Sequence, residues 1–181
     1  MLNSLIGIIA SSGGAAAAAG DYESIATVTV GGGGSSSISF TSIPSTYQHL
    51  QIRGIAKMSS GASLYMQLNS DTGSNYARHY LNGNGSSVGA GANSSFTNMF
   101  VGTTANATST FGANVIDILD YKDTNKYTTS RALSGADANG SGFVQFMSGL
   151  WMNTSAVTTI TITGDSNFDQ YSSFALYGIK G

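Results

Sequence analysis

The stretch Gln48-His49-Leu50-Gln51-Ile52-Arg53-Gly54-Ile55-Ala56-Lys57-Met58 decides the fold class. Leu50, Ile52, Gly54, Ala56 and Met58 fall on one side of a two-residue repeat, while His49, Gln51, Arg53 and Lys57 fall on the other. Successive side chains of an extended strand point to opposite faces, so this segment reads as a strand with one buried and one wetted face. Ile55 is the exception, an apolar side chain on the wet side.

The same alternation recurs on both sides of that segment. Residues 25–30 and 37–41 come before it; 64–68, 76–81, 111–121, 127–133, 143–151, 157–163 and 173–180 come after. Turn formers separate the runs: Gly31 to Gly34, Asp71-Thr72-Gly73, Asn82-Gly83-Asn84-Gly85, Asp137 to Gly142 and Gly164-Asp165. Gly and Asn tolerate the positive φ that tight turns demand. About ten short strands with no convincing helix predict an all-β fold, an antiparallel β-sandwich of jelly-roll type. Residues 83–107 are rich in Gly, Ser, Asn and Thr, broken by Phe96-Thr97-Asn98-Met99-Phe100-Val101, and read as a long loop flanking one strand. No repeat of fixed period is present, which argues against a solenoid or propeller.

Outside the strand pattern stand residues 1–20, with Leu2, Leu5, Ile6, Ile8 and Ile9 followed by Ser/Gly and by Ala15 to Ala19. The segment resembles a secretion signal, but no Lys or Arg precedes its apolar run, so it reads as a retained arm. It falls short of the ~20 apolar residues that a spanning helix needs. An apolar arm seeks a partner surface, and twenty residues reach ~65 Å when extended. The expected organisation is therefore an extended N-terminal arm, 1–20, and a single β-sandwich domain, 21–181.

Composition limits the function classes. Charged residues are 9% of the 181-residue chain, against roughly 25% in ordinary soluble domains. The apolar share is an ordinary 41%, so neutral polar residues take the surface positions. The net charge is −2, and the seven Lys and Arg are scattered singly, which leaves no basic stripe for phosphates and disfavours nucleic-acid binding. With no Cys, packing and association must supply the stability, and contacts between copies should respond only weakly to salt.

Catalysis needs paired titratable groups, and the chain offers few: nine acids, two His and no Cys. Asp117, Asp120 and Asp123 form the densest acidic cluster, yet Asp117 and Asp120 differ by an odd step along a strand and point to opposite faces. His49 and His79 sit in alternating strands and read as outward polar or interface residues. Asp137-Ala138-Asn139-Gly140-Ser141-Gly142 spaces oxygens as calcium loops do but lacks the terminal Glu, and reads as a turn. Asn-x-Ser/Thr sequons at Asn84, Asn93, Asn106, Asn139 and Asn153 follow from composition. We therefore expect no catalytic residues, cofactor or metal.

Several segments together resemble a family of tailed-phage, cyanophage-like virion structural proteins. They are Gly20-Asp21-Tyr22-Glu23-Ser24-Ile25, the run from Ile43-Pro44-Ser45 to Ile52-Arg53, and 111–135 around Asp117-Ile118-Leu119-Asp120-Tyr121. Ser148-Gly149-Leu150-Trp151-Met152-Asn153 and the terminal Phe174-Ala175-Leu176-Tyr177-Gly178-Ile179-Lys180-Gly181 complete the set. The resemblance implies a place on the virion surface and a role in assembly. The expected partners are further copies of the chain, as a homotrimer, and the major capsid protein or other virion proteins, with no nucleic acid and no membrane. In the leading expectation this is a head decoration or cement protein anchored through Leu2, Leu5, Ile6, Ile8 and Ile9. The alternative is a tail-fibre or receptor-binding protein with a glycan-binding sandwich, whose stacking candidates are Tyr76, Tyr80, Tyr121 and Tyr127. A carbohydrate-active enzyme is a third reading, opposed by the scarcity of paired acids.

Overall fold

Alternating apolar and polar residues build twelve strands in the computed structural model, which describes residues 20–106 and 109–181. In chain order these are β1 (Tyr22–Thr29), β2 (Ser35–Phe40), β3 (His49–Ala56), β4 (Ser63–Leu68), β5 (Tyr76–Gly83) and β6 (Val88–Phe96). There follow β7 (Met99–Thr103), β8 (Gly112–Leu119), β9 (Thr128–Asp137), β10 (Gly142–Trp151), β11 (Ile160–Phe168) and β12 (Ser173–Ile179). They form two antiparallel sheets packed as a β-sandwich. The larger has the order β1-β12-β3-β8-β9-β10-β5-β6, and the smaller has the order β2-β11-β4-β7.

The chain changes sheet at every connection except β5–β6, β8–β9 and β9–β10. β1, β3, β8 and β12 go to the large sheet and β2, β4, β7 and β11 to the small one, while β5–β6 and β9–β10 both join the large sheet, so that β4 and β7, on either side of β5–β6, pair with each other in the small sheet. One sheet is thereby twice as wide as the other, and its far edge extends past β7, the last strand of the small sheet.

The core lies between the sheets, where the period-2 pattern of each strand puts its apolar side. Leu50, Ile52 and Ala56 of β3 are fully buried, as is Met58 just beyond it, against Leu64, Met66 and Leu68 of β4 and Ile160 and Ile162 of β11. Glycines on the inner face let large rings lie flat on the sheet. A Cβ at Gly54 would sit 2.6 Å from a Phe174 ring carbon, and one at Gly178 would sit 2.3 Å from the Tyr47 ring. Both distances are far inside van der Waals contact, so these positions are tied to glycine by space.

Residues 83–107 differ from the expected long loop. They contain the nine-residue edge strand β6, which pairs with β5 from Gly83↔Val88 to Tyr76↔Phe96, and then β7. The strand that was expected over 157–163 runs instead over Ile160–Phe168, taking in Gly164-Asp165, which had read as a turn. Pairing with β2 is interrupted between Thr163 and Phe168. The Asp165 carboxylate accepts hydrogen bonds there from the amides of Ala62 and Ser63, which satisfies backbone donors outside the regular ladder.

Candidate functional site

Two surfaces of the wide sheet carry chemistry that the core does not use. The first is its outer face. Cross-strand register sets Thr27, Ala175, Arg53, Val115, Leu133, Phe146, Leu81 and Ala90 in one row across all eight strands. The next row runs Ser173, Ile55, Ala113, Gly135, Val144, Gly83 and Val88. Both rows are on the solvent side. Phe146 is 50% exposed, Leu133 52%, Leu81 57% and Ile55 59%.

The apolar members of the two rows present on the order of 700 Å² of surface, more than the ~300–600 Å² of the largest patch on an ordinary monomer. Between Ile55 and Leu133 the small residues Ala113, Gly135, Ser173 and Ala175 leave a depression of about 590 Å³. Ile55, the exception in the alternation of β3, belongs to this face.

A third row bounds the apolar band with polar groups: Tyr177, Gln51, Asp117, Arg131, Ser148 and His79. Gln51 donates to Asp117 at 2.7 Å, and Arg131 pairs with the other oxygen of the same carboxylate at 3.3 Å. Arg53 donates to Gln51 and lies over the stacked rings of Tyr22 and Tyr177, at 5.1 and 5.5 Å from their centroids. These charges are held in place by neighbours in the sheet.

The second surface lies on the inner side of β5, near the edge of the small sheet. Arg78 is half-buried there, with its guanidinium carbon 4.6 Å from the Phe100 ring centroid, 4.9 Å from Phe96 and 5.9 Å from Tyr80. Together with Tyr65, Asn82 and Gln145 it lines a concavity of about 340 Å³. β6 contributes by lacking side chains: a Cβ at Gly91 would lie 2.6 Å from the Tyr80 hydroxyl, and one at Gly89 would lie 2.8 Å from Asn82.

The four tyrosines named as stacking candidates separate. Tyr76 and Tyr121 are 0% and 1% exposed, which corrects their assignment. Tyr76 packs against Trp151, accepts a hydrogen bond from the Leu68 amide and donates to the Asp71 carbonyl; burial pushes its hydroxyl up to about 12. Tyr121 donates to the Pro44 carbonyl. Tyr127 is 50% exposed just before β9, and Tyr80 lines a concavity. Leu2, Leu5, Ile6, Ile8 and Ile9 lie outside the described residues.

Most of the acidic side chains have structural partners. Asp120 bonds Lys126 and Gln48, which hold its carboxyl below the usual range, and its own amide donates to His49 Nδ1 at 3.0 Å. Asp71 accepts from Asn75 and from the Trp151 indole at 2.9 and 2.7 Å, and these two bonds lower its pKa. In the turn over 137–142 the Asp137 carboxylate accepts the Asn139 amide at 2.8 Å. His79 is exposed between Ser148 and Ala92 on the outer face.

Fold and surfaces together define an all-antiparallel, two-sheet β-sandwich whose wider sheet exposes an apolar face. Compared with protein-family models, with curated proteins and with solved structures, the chain matches none.

Proposed function

We propose that the chain is a structural subunit of a tailed-phage particle, a decoration or cement protein of the head that acts by assembly. The observation that carries this reading is the apolar band across Val115, Leu133, Phe146 and Leu81. Its area is close to the ~800 Å² that each partner contributes to a standard interface. The occupant is a second copy of the chain, and in the homotrimer the face of each copy packs on the next around a closed ring. With only 9% charged residues, the contact is held by burial and neutral hydrogen bonds.

The repeated passage of the chain between the two sheets, four strands of one against four of the other with β5, β6, β9 and β10 added to the wider sheet, favours a jelly roll. A shell of such trimers, bound to the major capsid protein through residues 1–20, would stabilise the assembled head by mass action, since it binds that state alone. A receptor-binding role at the tail is the second reading, favoured by the aromatic concavity around Arg78.

Antibody-gold labelling of particles that encode the chain tests the assignment. Regular label over the head is the expected result. Label confined to the tail transfers the chain to the second reading, and unlabelled particles end the virion proposal. Removing residues 1–20 should abolish attachment to the head while leaving the number of subunits in the self-assembled oligomer unchanged.

A further inference from the structure

The Arg78 concavity presents a cation, aromatic faces and uncommitted amides to one small volume. Arg78 Nε donates to Asn93 at 3.3 Å, and among the described residues neither terminal guanidinium nitrogen has a protein acceptor and no carboxylate lies within 4.0 Å. Rings of Phe100, Phe96 and Tyr80 restrict water around the guanidinium, which leaves its N–H edge for an acceptor from outside. A half-desolvated cation with no counter-charge is costly, and a planar carboxylate that accepts two parallel N–H bonds offsets that cost.

The remainder of the concavity suits a sugar ring. Tyr65 and Phe100 pair across β4 and β7 with centroids 5.8 Å apart and planes tilted by 52°, so their faces offer an apolar wall for the C–H side of a pyranose. Gln145 accepts from the Thr103 hydroxyl through its carbonyl, which fixes the amide and leaves its NH₂ group for a ligand oxygen. It lies directly across from Asn82, whose side chain makes no hydrogen bond among the described residues. A volume of about 340 Å³ accepts one ring with its substituents.

We propose that this concavity is a binding site for an acidic saccharide, with Arg78 receiving the sugar carboxylate, Tyr65 and Phe100 receiving the ring, and Asn82 and Gln145 the hydroxyls. The site opens on the inner side of β5 whereas Leu81 of the apolar band lies on the outer side, so it stands whether or not the outer face assembles, and on head or tail alike. The uncommitted Arg78 edge selects for a carboxylate over a neutral sugar, and the walls select for a ring over a bare anion.

Titration of the full chain with digalacturonic acid and with 3′-sialyllactose, followed by amide and side-chain NMR shifts, tests the site. The expected result is saturable shifts at Arg78, Asn82 and Gln145, with neutral digalactose and lactose weaker by about tenfold or more, as befits loss of a charge-assisted pair. Arg78→Gln should remove that preference. Gln145→Ala, which leaves the Arg78 stack intact and removes one part-buried bond from Thr103, should weaken the acidic sugars several-fold while the chain stays folded, and it carries the test if Arg78→Gln unfolds. Equal binding of neutral sugars overturns the carboxylate assignment. Acetate binding as tightly as the sugars overturns the saccharide assignment, and no shift at these residues overturns the site.

Discussion

Phe146→Asp isolates the contribution of the outer face to assembly. Phe146 is half exposed and sits in register between Leu133 and Leu81, at the middle of the apolar band. A buried aromatic removes ~150–250 Å² from water, so the exposed half leaves roughly 100 Å² for a partner to cover. At ~25 cal/mol per Å² that is about 2.5 kcal/mol per contact. A carboxylate in its place adds a desolvation cost of about 1–3 kcal/mol. Together they raise the dissociation constant by roughly a thousandfold. Within one subunit the change removes only cross-strand pairing with two neighbours, about 1 kcal/mol, which lowers the melting temperature by a few degrees. Sedimentation equilibrium reads the first effect and thermal unfolding below the dissociation range reads the second. A variant that keeps the wild-type mass across a hundredfold dilution refutes the reasoning, as does a wild-type chain that sediments as a monomer at millimolar concentration.

Three further outcomes follow from the same geometry. Assembly should change little between ~0.05 and ~0.5 M salt because the buried contact is apolar, and dissociation in that range would transfer the weight to the row of Asp117 and Arg131 and to the neighbouring Arg53. Gly54→Ala should cost about 1–3 kcal/mol, since the new methyl meets the Phe174 ring at 2.6 Å, whereas Gly31→Ala, which meets nothing within 4 Å, should be nearly neutral; urea midpoints compare the two. Asp71 has its folded pKa lowered by Asn75 and Trp151, so its contribution is complete above the ordinary carboxylate range near 4 and is lost as pH falls through the depressed value. Asp71→Asn should flatten the acid limb of the urea midpoint against pH, and an unchanged limb would assign acid sensitivity to other carboxylates.

How much of this was legible in the sequence follows from the amplitude of the period-2 signal. In β3 the buried side carries Leu50 and Ile52 and the wet side carries Gln51 and Arg53, a contrast large enough to place the strand and its inner face. In β6, Gly89 and Gly91 lie under Asn82 and Tyr80 while Ala90 and Ala92 face solvent, so small residues alternate with other small residues and the pattern vanishes. A strand lacking hydrophobic contrast reads as a loop. Ile55 was visible as a violation of the pattern, but its meaning depends on Val115, Leu133, Phe146 and Leu81, which only register brings alongside it. The tyrosines show the complementary limit. Tyr76 and Tyr80 share one side of β5, yet Tyr76 is sealed against Trp151 and Tyr80 is half open, because the cover supplied by the small sheet gives out between them. Periodicity assigns a side; it does not say where the opposing sheet stops.

That mismatch in width ties the two proposed surfaces to a single feature of the chain. Eight strands divide equally between the sheets and on their own would make a balanced sandwich; the additional strands β5, β6, β9 and β10 all join one side. Leu81, Val88, Leu133, Val144 and Phe146, most of the exposed apolar band, lie on these four strands. So do Arg78, Tyr80, Asn82 and Gln145 of the concavity, and Phe96, which stacks on Arg78. Among the described residues no layer covers the outer face, which leaves its apolar band exposed, and the concavity stays open because the sheet runs on past β7. Both surfaces are consequences of widening one sheet without widening the other. A hairpin placed in the small sheet would instead have closed over Arg78 and left that cation buried without a counter-charge, an arrangement that costs several kcal/mol. The hairpins of the wide sheet thus set apart a scaffold, which the core positions stabilise, from surfaces that can change partner without disturbing it.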